Sequence, residues 1–255
     1  MAAAALSVFA SMGLARAADV SLQKLAGPAT EVAEISGGGP LAAREGQGSG
    51  FFVSPAGLIV TNGHVVAGCS EVEITGRGLG NVVSVDASVD LATVLPQTPQ
   101  AAVPVTIAVA PARLGQTVIV LGYPLSDLLA HAITVTTGVI STEVGLGGDR
   151  RQFSMTASLE PGSSGGPVFD LRGQIVGVAA SKMNAVAMIL TTGSAGSNIN
   201  FAVNAEALLT FLGRHGWTAP QAAGSRTDMA VEDAIAMVRQ STVELTCRPT
   251  AVGEP

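Results

Sequence analysis

Charge is scarce in this chain: only 13% of its 255 residues are Asp, Glu, Lys or Arg, while 47% are hydrophobic. That balance excludes an intrinsically disordered polypeptide and supplies a sizeable core. Cysteine is nearly missing, with only Cys69 and Cys247, and the histidines number three, His64, His131 and His215. None of the five stands at ligand spacing from the others, so no metal site is expected. Long apolar runs are lacking too. The stretch Met1–Ala17 is too short to span a bilayer, and nothing after it is long and uninterrupted enough, so stable membrane insertion is not expected. Helical periodicity between the strand-like pieces is sparse, which argues against βαβ units. Lys and Arg total 13 against 19 Asp and Glu, a net charge of −6, and that sign argues against nucleic acid as a partner.

Glycine and proline are plentiful, 31 and 13 residues, and they punctuate many short apolar pieces. Residues 1–17 read as a secretory signal: an apolar run followed by the small-x-small site Ala15-Arg16-Ala17, although no Lys or Arg precedes the run. Residues 18–46 form a lead-in, amphipathic at first and then flexible at Gly37-Gly38-Gly39-Pro40. From Gln47 the pattern becomes strand and turn. Gly48–Val53, the turn Ser54-Pro55-Ala56-Gly57 and Leu58–Thr61 fit a β-hairpin. Further strand-like pieces run at 71–75, 81–85, 91–95, 117–121, 133–139, 153–157 and 174–180. Short strands at this spacing predict an antiparallel barrel or sandwich over residues 47–215. Ala205, Leu208, Leu209 and Leu212 mark one amphipathic helix, and 216–255 is an extension with a second helix at 229–238 and a strand-like Thr242–Cys247. In an exported protein Cys69 and Cys247 can pair; two buried thiols are the alternative.

Chemistry concentrates in Glu160-Pro161-Gly162-Ser163-Ser164-Gly165-Gly166-Pro167. Glycines let such a turn bring backbone N–H groups close to a bound carbonyl, which suits a reactive hydroxyl. The pattern also satisfies the G-x-S-x-G of a nucleophile elbow, and a plain glycine-rich turn reads the same way. A serine hydroxyl attacks only when a base takes its proton and a third group orients that base. His64, at a strand end in Thr61-Asn62-Gly63-His64, can reach a cleft; His131 and His215 read as structural or surface residues. Asp90 lies among apolar residues, where a carboxylate needs a partner, and Asp86 is its nearest competitor.

Taken in order, Thr61-Asn62-Gly63-His64-Val65-Val66, Asp86-x-x-x-Asp90-Leu91-Ala92 and Pro161–Pro167 resemble the three catalytic blocks of HtrA/Deg-type trypsin-like serine proteases. Gly48-Ser49-Gly50-Phe51, Gly122-Tyr123-Pro124-Leu125, Gly138-Val139-Ile140-Ser141 and Asn200-Phe201-Ala202-Val203 resemble lesser blocks of that family, and the likeness covers roughly residues 46–212. The order His, Asp, Ser also disposes of the nucleophile elbow, whose order is Ser, acid, His. The resemblance implies an all-β fold of two six-stranded antiparallel barrels with a cleft between them. It implies Ser164 as nucleophile, His64 as general base and acid, Asp90 as the orienting carboxylate, and the amides of Gly162 and Ser164 as the oxyanion hole. Unfolded polypeptide would be the substrate, with no metal or organic cofactor, and the signal-like residues 1–17 make the expected place of work periplasmic or secreted.

Two departures from the family pattern stand out. Ser163 occupies the position usually held by Asn, or by Asp in digestive enzymes, so activation by a newly cut N-terminus is not expected. Too few residues follow Leu212 for a PDZ domain of the kind many relatives carry, so oligomerisation through one is not carried over and self-association stays open. By the resemblance Ser158 would lie at the base of the substrate pocket, with Val178-Ala179-Ala180-Ser181 as the facing wall. No carboxylate stands at that base, which implies small or medium apolar residues before the scissile bond, although Glu160 at the rim could attract a basic one. A latent, chaperone-like peptide-binding module and an esterase on the same fold are the rival readings.

Overall fold

The computed structural model describes residues 46–126, 128–180, 200–222 and 227–249, so the expected signal at 1–17 and the lead-in to residue 45 lie outside the described residues. The hairpin forms where its turn residues place it. Strand β1 (Gln47–Phe52) pairs antiparallel with β2 (Ile59–Thr61), and Val53 N–H donates to the Leu58 carbonyl at 2.8 Å to close the turn. Strands β3 (Cys69–Ile74), β4 (Gly78–Asp86) and β5 (Leu91–Pro96) follow as a meander. β5 is almost wholly buried, which is why its sequence is apolar at every position but Thr93 rather than alternating.

The second half supplies β6 (Thr106–Ile107), β7 (Thr117–Gly122), β8 (Thr134–Thr142), β9 (Gln152–Met155), β10 (Pro167–Phe169), β11 (Gln174–Ala180) and β12 (Asn200–Asn204). Helix α1 (Ala205–Arg214) comes next, its N-terminus capped by the Asn204 side chain accepting from Ala207 N–H at 2.9 Å. Helix α2 (Val231–Arg239) and the last strand, β13 (Thr242–Pro249), complete the described chain.

Two barrels result. The second runs β10-β7-β8-β9-β12-β11 and closes through β10–β11, with β6 added in parallel on β11. The first closes in the order β1-β13-β3-β4-β5-β2. Its sixth strand therefore comes from the far end of the chain, with Ser49 opposite Glu244 and Val72 opposite Cys247. The bounds expected for the two barrels, 47–215, therefore change: β13, from the 216–255 extension, supplies the sixth strand of the first barrel. Without β13, strands β1 and β3 would each present an unpaired edge. Cys69 and Cys247 form a disulfide with their Cα atoms 5.3 Å apart, tying β13 to β3.

Each barrel is filled by its own apolar cluster. Phe52, Ile59, Val72, Ile74, Val94 and Leu245 fill the first, and Val118, Val120, Ile140, Phe153, Met155 and Val168 the second. A third cluster joins Phe51, Val60 and Leu91 to Leu121, Phe169 and Val203, and reaches Leu208, Phe211 and Leu212 of α1. At about 1.5–3 kcal/mol for each large apolar side chain buried, this seam holds one barrel firmly against the other. Val89 and Leu91, on either side of the candidate catalytic Asp90, belong to this seam.

Candidate active site

His64 lies in a 3-10 turn, Gly63–Val65, at the end of β2. Asp90 opens β5 with φ +54°, a left-handed conformation that costs a non-glycine residue energy unless its surroundings hold it there. Four hydrogen bonds do so. The Asp90 carbonyl accepts from Gly63 N–H at 3.1 Å and from Asn62 Nδ2 at 2.9 Å. Its carboxylate accepts from His64 N–H at 2.9 Å through Oδ1 and meets His64 Nδ1 at 2.7 Å through Oδ2. A carboxylate can only accept, so the proton of that last bond sits on Nδ1, and in the neutral imidazole Nε2 is then the acceptor. Asp86, the competing acid, is used elsewhere: its Oδ1 accepts from Ser88 N–H at 2.9 Å and Ser88 Oγ at 2.6 Å. Those two bonds hold its carboxyl below the usual range.

The serine stretch connects β9 to β10 and is buried at Ser163 and Ser164. Gly162 has φ +99° and Gly165 φ +84°, values open to glycine at no steric cost. Space demands glycine too. A Cβ on Gly162 would lie 2.5 Å from the Tyr123 carbonyl oxygen, and one on Gly165 would run into the Ser49 carbonyl and the Thr61 hydroxyl. Gly165 thus seats the serine loop on Thr61 and Asn62, the segment that carries His64. Ser163 N–H donates to the Glu160 carbonyl at 2.9 Å and Gly165 N–H to Ala179 at 2.9 Å. Among the described residues no group accepts the Gly162 N–H, which suits a donor meant for a ligand oxygen.

Two of the three substrate-pocket candidates are buried. Val178 is fully buried in the seam between the barrels, and Ala180 is fully buried at the end of β11. Ser158 is exposed, its carbonyl accepting from Thr136 Oγ1 at 2.9 Å. Ser181 lies outside the described residues. Of the other histidines, His215 caps α1 and packs on Phe211 with ring centroids 4.9 Å apart. His131 Nδ1 meets the two oxygens of Glu244 at 3.0 and 2.9 Å, from a loop between β7 and β8. Burial alone would push the Glu244 carboxyl up, but hydrogen bonds from Ser126, His131 and Thr75 outweigh it and hold the group below its ordinary range. That contact spans 113 residues and has no local signature in the sequence. Among the described residues no cluster of His, Cys, Asp and Glu could hold a metal ion, and no helix is long and apolar enough to cross a membrane.

A family model described as a trypsin-like peptidase domain matches residues 48–178. The mitochondrial serine protease HTRA2 of Bos taurus is 35% identical over 203 residues, covering 73% of this chain and 41% of that protein. The putative serine protease HhoA of a Synechocystis species is 38% identical over 142 residues, covering 52% of this chain and 36% of that protein. The chain spans less than half the length of these relatives. Among solved structures, the active form of the Rv3671c protease from Mycobacterium tuberculosis has a TM-score of 0.51 at 32% identity, covering 70% of this chain and 77% of that one. With the family match covering half of its residues, the chain belongs to the trypsin-like peptidases and is related to the HtrA-type serine proteases.

Proposed function

We propose that this chain is a serine endopeptidase that hydrolyses polypeptides through Ser164, His64 and Asp90. The observation that carries the reading is the 2.7 Å bond between His64 Nδ1 and Asp90, on a segment packed against the loop that holds Ser164. His64 Nε2 takes the Ser164 proton as Oγ bonds to the scissile carbonyl carbon, and the carbonyl π electrons move onto oxygen. The Gly162 and Ser164 N–H groups face that oxygen, each such donor being worth about 3 kcal/mol of transition-state stabilisation. Asp90 stabilises the imidazolium. Collapse breaks the C–N bond, His64 returns the proton to the leaving amine, and water then cleaves the acyl-enzyme by the same steps reversed.

The chain works outside the cytoplasm, in the periplasm or secreted, on unfolded polypeptides of the envelope. The Cys69–Cys247 disulfide supports this, since such bonds persist in oxidising compartments, as does the apolar, small-x-small sequence of residues 1–17. Small or medium apolar residues precede the scissile bond, because no carboxylate stands at Ser158.

A fluorophosphonate tests the chemistry. Labelling at Ser164 that disappears in Ser164→Ala, together with casein cleavage lost in the same variant, is the expected result. A wild-type chain that binds casein yet neither labels nor cleaves would make the chaperone-like reading correct. Turnover of small esters without casein cleavage would point to an esterase.

A further inference from the structure

Ser49 has no assigned part in the chemistry, yet every polar atom it owns is committed to the site. Its side chain is fully buried on β1 of the first barrel. Its N–H donates to the Ser164 carbonyl at 2.8 Å, and its carbonyl accepts from Thr61 Oγ1 at 2.7 Å. Its hydroxyl donates to the Gly162 carbonyl at 2.7 Å and accepts from Tyr123 N–H at 2.9 Å. These last two bonds span 113 and 74 residues. Buried serines ordinarily satisfy themselves on nearby backbone, so a hydroxyl bonded only at such range is holding distant segments together.

The two peptides flanking Gly162 both depend on this hydroxyl. The peptide between Gly162 and Ser163 is held at both ends, its carbonyl by Ser49 Oγ and its N–H by the Glu160 carbonyl at 2.9 Å. The peptide between Pro161 and Gly162 is held through its carbonyl, which accepts from Leu125 N–H at 3.1 Å. A trans peptide points its N–H opposite to its C=O, so this bond turns the Gly162 N–H away from Leu125. Leu125 lies two residues beyond Tyr123 and has φ +48°, a position that persists only when its neighbours fix it. Ser49 fixes Tyr123. Glycine at 162 has no side chain to hold it in place, so its peptides keep their orientation only through these bonds.

We propose that Ser49 is a positioning residue for the oxyanion hole: its hydroxyl, shared between the Gly162 carbonyl and the Tyr123 amide, keeps the Gly162 N–H aimed at the reacting carbonyl. This rests on the protease reading for its catalytic consequence, while the holding of the loop can be measured without it.

The test uses the full chain with Ser49→Ala and the isosteric pair Ser49→Thr and Ser49→Val. Thr and Val add the same bulk, and only Thr keeps the hydroxyl. On a fluorogenic peptide, Ser49→Ala lowers kcat by roughly 10- to 100-fold with KM within about twofold, as expected for a donor that acts in the transition state. Ser49→Thr exceeds Ser49→Val in kcat by at least about tenfold, which a purely steric role would not produce. Hydrogen exchange at residues 160–166 is faster in Ser49→Ala and Ser49→Val than in the wild type, and unchanged in β8 and β9. Equal kcat for the Thr and Val variants, or wild-type kcat in a folded Ala variant, overturns the catalytic part. Unchanged exchange at 160–166 overturns the positioning itself. A wild type inert to fluorophosphonate, with the exchange difference present, overturns the protease reading and leaves the loop contact standing.

Discussion

At the scale of the residue, Asp90 ties the segment that carries His64 to the start of β5. It is strained at φ +54° and bonded four times to the 62–64 segment, so its carboxylate and the imidazole move as one unit. Asp90→Asn keeps the shape but places an amide opposite Nδ1, which favours the wrong imidazole tautomer. We expect kcat to fall by about 10⁴ with KM little changed, as measured by steady-state peptide hydrolysis on a variant whose unfolding midpoint has been checked. His64, Asp90 and Ser164 each sit in a short motif that the sequence shows, and the fold brings the first two together at 2.7 Å. Ser49 was visible only as part of Gly48-Ser49-Gly50-Phe51. What its hydroxyl does follows from backbone atoms 74 and 113 residues away, and no local pattern encodes them.

Elements formed largely where periodicity and turn residues place them. The hairpin β1–β2 follows its Ser-Pro-Ala-Gly turn, and α1 follows the spacing of Leu208 and Leu212 with Asn204 as cap. β13 is different: Thr242–Cys247 reads as a strand, but its partners β1 and β3 lie about as far away in sequence as the chain allows. Pairing partners at that separation leave no mark in composition. The disulfide closes this same long loop of 178 residues, so removing it should free much chain entropy in the unfolded state. The double variant Cys69→Ser, Cys247→Ser is expected to lose about 2–5 kcal/mol in denaturant unfolding while keeping its β-rich circular dichroism, because the β13–β3 ladder remains. Truncating the chain before Thr242 should instead expose both edges and yield aggregate on gel filtration.

For the molecule as a whole, the two barrels depend on contacts that cross between early and late parts of the chain. Glu244 is one of them. It sits fully buried on β13, accepts from Thr75 Oγ1 at 2.9 Å, and meets His131 from the β7–β8 loop. Its folded pKa lies below the unfolded value of 4.5, so its contribution is complete above that value and is lost as pH falls through the lower folded one. The thermal unfolding midpoint should therefore fall on acidification below about pH 4.5, and Glu244→Gln should lower the neutral-pH midpoint by roughly 5 °C and flatten that acid dependence. The sequence by itself determined the β class, the family and the order of the reactive residues, because alternation, turn chemistry and motif order are local properties. Only the tertiary structure decided that the last strand closes the first barrel, that Val178 packs in the seam, and that Ser49 grips the loop around Gly162. Those outcomes depend on which surfaces meet after collapse, and burial between distant segments is a property of the folded chain, not of any stretch of it.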